Sequence, residues 1–208
     1  YKIKNKPMKS EIRIGIVQWI SSDQEEEDPY YLDLRKSVES YYIKQGIPTK
    51  KFYKENLDSL YESKDINCLI CIGKFSMDQV NDFKKFTRSL IFVDSNPDED
   101  SVSSVVHDLE LGTRLALDYL KEMGHKRIAY IGGRELLGQK QIPYQDKREA
   151  TYYKEMQSEV FDYDNSLIYI DQFNSQTGSD AVYFYLGEVQ QPPTALLCAS
   201  DTIAMGAL

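Results

Sequence analysis

The chain has 208 residues, 41% hydrophobic and 28% charged, and its 25 Lys and Arg against 33 Asp and Glu give a formal net charge of −8. That balance describes a globular chain with room for a real core, and no apolar run approaches the roughly 18 residues a transmembrane helix needs. The acidic excess also argues against nucleic acid as the direct ligand of this segment, because phosphate binding calls for clustered Lys and Arg. Residues 1–11 are basic at their start, lack apolar periodicity and read as a linker remnant; opening at Tyr1 without a Met, the chain is expected to have its natural N-terminus upstream. Residues 12–20 are a β-branched strand, 21–28 an acidic solvated loop, and 30–45 a helix closed by Gly46. Strands over 48–53, 67–72 and 90–93 then alternate with helices over 55–62 and 76–86, the second capped by Ser76. After a polar stretch, Val105-Val106-His107 is a short strand, and Asp108 caps a helix that carries Leu111, Leu115, Tyr119 and Met123 at the spacing of an amphipathic stripe. Gly124 ends it. A strand over 128–131, a helix over 144–157, a strand over 167–170, a helix over 175–186, a strand over 195–198 and a helix opening at Asp201 complete the chain.

Alternating strands and helices predict a doubly wound parallel sheet with helices on both faces. About four or five strands precede Asp108 and three follow it, whereas such domains usually have five or six, so two lobes are expected, 12–107 and 108–208, the second incomplete at its C-terminus. Cys68 and Cys71 read as C-x-x-C but lie in a buried strand, where residues three apart point to opposite faces; two small hydrophobes in a reducing compartment is the better reading.

Enzymatic signatures are missing: there is no H-E-x-x-H, no G-x-S-x-G and no phosphate-binding G-x-x-x-x-G-K-[ST], so no catalytic activity, cofactor or metal is expected. His107 pairs with no nucleophile, and His125 follows a helix cap. Gly132-Gly133 could form a phosphate-binding turn, which would make the chain a nucleotide-using enzyme, but a turn needing positive φ is the simpler account. The run Asp23-Gln24-Glu25-Glu26-Glu27-Asp28 lacks the ligand spacing of a calcium loop and reads as mutually repelling, solvated charge.

Open parallel sheets bind ligands at the carboxyl ends of their strands. By that rule the candidates are the segment from Trp19 to Tyr31, Asp94, Arg148, Phe173 and Ser200-Asp201. Aromatic faces, acidic acceptors and a guanidinium fork together suit a polyol. Each also has a bland alternative: Tyr30 and Tyr31 as helix core, Asp94 as a loop cap, Arg148 as surface charge, Asp201 as a helix N-cap.

Three segments carry a family resemblance: Asp108-x-x-x-Gly112-x-x-x-Ala116-x-x-Tyr119-Leu120, then Gly124-His125-x-x-Ile128-Ala129-x-Ile131-Gly132-Gly133, and Pro193-Thr194-Ala195-Leu196-x-x-Ala199-Ser200-Asp201-x-x-Ala204-x-Gly206-Ala207-Leu208. They resemble the effector-binding core of lactose-repressor/galactose-repressor transcription regulators. The strand Ile14-Gly15-Ile16-Val17 and the helix start Asp28-Pro29-Tyr30-Tyr31 fit the same pattern, so the resemblance spans 12–208. It implies two periplasmic-binding-protein-like α/β lobes around a sugar or sugar-phosphate effector, contacted by Tyr30, Tyr31, Asp94, Tyr144, Arg148, Phe173, Ser200 and Asp201. Tyr144 would lie about one helical turn before Arg148, and Thr151 stands where the family's R-x-x-G segment has Gly. It further implies a cytoplasmic, homodimeric repressor of a sugar-utilisation operon, with galactose-type sugars as first candidates, no membrane contact, and operator DNA bound only through a helix-turn-helix absent from this chain. A sugar-binding receptor of a transport system is the alternative. Asp94→Ala and Arg148→Ala are expected to weaken effector binding far more than folding.

Overall fold

The structure, a computed structural model, describes residues 12–27, 29–98 and 100–208. The linker reading of 1–11, and Asp28 at the helix start, lie outside the described residues. The chain divides into two compact units, one ending at His107 and the other running from Asp108 to Leu208.

In the first unit, β1 (Ile14–Gln18) is followed by α1 (Ser22–Glu27) and α2 (Pro29–Lys44). The expected acidic loop is therefore helical up to Glu27. Its residue Glu25 is buried, so this carboxylate has left solvent for a partner described below. Pro29 opens α2, where its fixed φ suits the first helical position and its missing N–H costs nothing. Gly46, at φ 70°, takes the left-handed step that stops the helix, with Ile47 N–H donating back to Tyr42 O. Then come β2 (Thr49–Phe52), α3 (Asp58–Glu62), β3 (Cys68–Ile72), α4 (Met77–Phe86), β4 (Leu90–Val93) and β5 (Ser103–Val105). Thus the last strand ends at Val105 rather than extending to His107.

These five strands pair in the order β2-β1-β3-β4-β5, all parallel. Period-two alternation puts Ile14, Ile16, Ile70 and Ile72 on one face, packed with Tyr31 and the α2 residues Leu34 and Val38. Val17, Leu69 and Cys71 face the other side, under Leu60, Val80 and Phe83. Cys68 packs with the first face and Cys71 with the second, and both are free thiols. Burial pushes the Cys71 thiol well above its usual range.

The second unit begins with α5 (Leu109–Glu122), capped by the Asp108 side chain, and continues through β6 (Ile128–Gly133) into a two-stranded antiparallel ribbon of β7 (Leu136–Leu137) and β8 (Ile142–Pro143). Next are α6 (Lys147–Glu155), β9 (Ile168–Asp171), α7 (Ser175–Gly187), β10 (Ala195–Cys198) and α8 (Asp201–Ala207). Its parallel sheet runs β10-β6-β9. The predicted stripe on α5 faces outward: Leu117 is 2% exposed, whereas Tyr119 is 62% exposed and Leu111, Leu115 and Met123 are exposed as well. Spacing identifies an apolar face of a helix but not which side the sheet occupies.

Gly132 and Gly133 lie inside β6, and neither has positive φ. That corrects both the phosphate-turn reading and the positive-φ alternative. Space is the reason instead: a Cβ on Gly133 would fall 2.2 Å from Cδ2 of Phe173. A similar argument explains Gly206, where a Cβ would meet Ser175 O at 1.7 Å in the close crossing of α7 and α8.

Candidate functional site

In the first unit, the carboxyl ends of β1, β3 and β4 bring one polar cluster together. Tyr30 Oη donates to Asp94 Oδ1 at 2.6 Å and Tyr31 Oη to Asp94 Oδ2 at 2.7 Å. Asp94 sits at φ 72°, a left-handed conformation uncommon for a residue with a Cβ and tolerated best by Asn and Asp. Its strand-end loop is pinned: Asp94 N–H donates to Val105 O, and Ser95 Oγ donates to Gly73 O. His107 approaches from the end of this unit, its ring 6.3 Å from that of Tyr30.

Lys74 joins the same cluster and was not among the sequence candidates. It is 7% exposed, its Nζ lies 3.4 Å from Tyr31 Oη, and the ammonium stands 5.3 Å from the Trp19 ring centroid. The available signal was its position directly after the apolar strand, at the end where ligands bind. Two buried polar atoms at the end of β1, Gln18 Oε1 and Trp19 Nε1, have no hydrogen-bond partner among the described residues, which leaves one acceptor and one donor unused.

A second, deeper network holds the tyrosines in place. Gln18 Nε2 donates to Tyr31 O at 3.2 Å and to Glu25 Oε1 at 2.7 Å. Arg35 grips Glu25 with two parallel bonds, Nε to Oε1 and Nη2 to Oε2, both at 2.7 Å, and Tyr53 Oη adds a third donor. Burial alone would raise the Glu25 carboxyl, but the bonds from Arg35 and Gln18 outweigh it and hold the pKa below the ordinary value. Tyr53 is pushed up to about 12, first by burial.

In the second unit, Arg148 is the centre. Its Nε donates to Asp146 Oδ1 at 2.9 Å, its Nη2 to Asp146 Oδ2, and its Nη1 to the carbonyl of Ala199 at the end of β10. Asp146 also caps α6 by accepting from Arg148 N–H. The guanidinium lies 5.2 Å from the Phe173 ring centroid. Burial works against its charge, but the Asp146 bond and charge raise the Arg148 pKa beyond its ordinary value.

The structure thus brings Arg148 and Phe173 together and ties Arg148 to the backbone next to Ser200. Tyr144 does not precede Arg148 on a helix, because α6 starts only at Lys147; its N–H donates to Glu135 O in the approach to α6. Ser200, not Asp201, is the N-cap of α8, accepting from Ile203 N–H, while Asp201 is exposed in the first turn. Asp146 was missed because its role comes from a side-chain pairing two residues away, which no periodicity announces.

Over 208 residues the chain is 30% identical to the HTH-type transcriptional regulator GalR of Streptococcus thermophilus, covering 100% of this chain and 62% of that protein. The chain is homologous to the lactose-repressor/galactose-repressor transcriptional regulators. HTH-type transcriptional regulator GanR of Bacillus subtilis (strain 168) is also 30% identical to it, over 94% of this chain and 59% of that relative. The chain therefore spans 62% and 59% of these two curated relatives. A periplasmic binding protein-like domain family matches residues 117–208. Among solved structures, a LacI family regulator from Lactobacillus casei with bound sucrose superposes with a TM-score of 0.74 at 21% identity, over 93% of this chain and 71% of that one. CcpA of Lactococcus lactis gives a TM-score of 0.71 at 17% identity, over 94% and 70%. These likenesses establish a periplasmic-binding-protein-like α/β fold of two parallel-sheet lobes.

Proposed function

We propose that this chain is the sugar-sensing part of a DNA-binding transcriptional repressor. The observation that carries the reading is Asp94, held in a strained strand-end conformation with both carboxylate oxygens facing tyrosine hydroxyls. Such a group accepts directed hydrogen bonds from sugar hydroxyls while the neighbouring rings offer faces to sugar C–H groups. In the second unit Phe173 offers a ring face and the Arg148 fork supplies the complementary hydrogen-bond donors. Tyr30, Tyr31, Asp94, Arg148, Phe173 and Ser200 are the proposed effector contacts; Tyr144 and Asp201 are proposed with them on the family resemblance alone.

No reaction is assigned, and the regulators named above support a non-catalytic role. Operator DNA would be bound by a helix-turn-helix outside this chain, in a cytoplasmic homodimer, and the operon would serve sugar use, galactose-type sugars being the first candidates. Among the described residues no helix is long and apolar enough to cross a membrane. A transport receptor remains the alternative, but the curated relatives are regulators by name. Sensing requires that the sugar bind two arrangements of the protein with different affinity, since equal affinity shifts nothing.

The test is the affinity of the full-length protein for its operator, followed by fluorescence anisotropy across a panel of sugars. One sugar should shift operator affinity at least about fivefold, the low end of usual coupling free energies. A folded protein whose operator affinity no sugar changes would contradict the proposal.

A further inference from the structure

We propose that the effector is an uncharged sugar and that phosphorylated sugars are excluded, because the chain neutralises its own binding-site arginine. The proposal rests on the sugar-sensing reading above and names the chemical class of its ligand. A guanidinium carries five N–H donors. Three of those on Arg148 are engaged, two by Asp146 and one by the Ala199 carbonyl. One N–H on each terminal nitrogen has no acceptor among the described residues, a fork suited to two neighbouring sugar oxygens.

Its donors remain, but its charge is balanced. Asp146 is 3% exposed and is fixed twice, by the guanidinium and by Arg148 N–H, so it cannot swing out to make way for another anion. A phosphate approaching Arg148 would meet a carboxylate already occupying the ion pair, and like charges brought together in a partly dry site are costly. The surroundings add to this. Glu149 is raised first by its own burial and then by the Asp146 charge, with Arg134 acting the other way, and Glu135 also acts on Arg148. In the first unit the buried ammonium of Lys74 shares its cluster with the Asp94 carboxylate through Tyr31. Neither cation is left as an uncompensated anchor for a dianion. Hydroxyl groups, which need donors and acceptors but no net charge, fit both clusters.

Calorimetric titration of the full-length protein tests this with matched pairs: galactose against its 1- and 6-phosphates, lactose against lactose 6-phosphate, glucose against glucose 6-phosphate. For whichever parent sugar binds, the esters should bind about 10- to 100-fold more weakly, the scale of a like-charge contact at a recognition site. Asp146→Asn, which frees the arginine charge, should narrow that gap by about tenfold. Should that variant not fold, the wild-type gap itself should shrink as ionic strength rises, as an electrostatic exclusion must. An ester binding as tightly as its parent overturns the proposal, and so does a gap that neither Asp146→Asn nor salt reduces, since that is steric exclusion. If no sugar of either kind binds, the sugar-sensing reading fails and this inference falls with it.

Discussion

Asp94 and Arg148 hold similar places at strand ends, yet their removal has different consequences. Asp94→Asn keeps a side chain that tolerates the left-handed backbone, removes the charge and replaces one of the two oxygens that accept from the tyrosines with an NH2 donor; sugar affinity should fall about tenfold or more while the melting temperature stays nearly constant, checked by calorimetry and thermal unfolding of the same sample. Arg148→Ala is another matter. It removes the guanidinium from beside a carboxylate that is 3% exposed, and breaking such a pair costs about 3–5 kcal/mol of stability. The expectation that this substitution spares the fold is therefore revised, because the burial of Asp146 is visible only in the folded chain. Gly133→Ala acts through its neighbour: the added methyl displaces the Phe173 ring, and loss of ring stacking should weaken sugar binding by about tenfold.

At the scale of elements, the alternation of strands and helices was legible, because strands such as β1, β3 and β6 are short apolar runs bounded by turn residues. α1 was not. Its sequence Ser22-Asp23-Gln24-Glu25-Glu26-Glu27 has no apolar stripe, and it is anchored by Glu25 reaching Arg35, ten residues on in α2. Glu25→Gln should therefore destabilise the first unit by about 3–5 kcal/mol, read from urea unfolding, by leaving Arg35 buried without its main charge partner. The same pair predicts an acid response. The Glu25 pKa is lowered from 4.5 in the folded state, so its stabilisation is complete above about pH 4.5 and is lost as pH falls through the lower folded value. Unfolding midpoints measured from pH 7 downward should drop there in the native chain, and less steeply in Glu25→Gln. The α7–α8 crossing gives a third test. Gly206→Ala drives a methyl into the Ser175 backbone, which cannot rotate away, and should cost about 1–3 kcal/mol in thermal unfolding of the second unit.

Over the whole molecule, the strand-end rule picks out residues that the fold brings together within each unit: Tyr30, Tyr31 and Asp94 converge, and so do Arg148 and Phe173. What the rule could not supply was the polar partner of a candidate residue, Lys74 beside Tyr31 and Asp146 beside Arg148, because those partnerships depend on which atoms become buried together. The central claim is that the strand-end clusters, Asp94 with its tyrosines and Arg148 with Phe173, are sugar-recognising groups. Titration of the wild-type protein, Asp94→Asn and Phe173→Leu with the sugar that shifts operator affinity tests it most directly. Both variants should melt like the wild type yet bind at least about tenfold more weakly; wild-type affinity in either one would contradict the account.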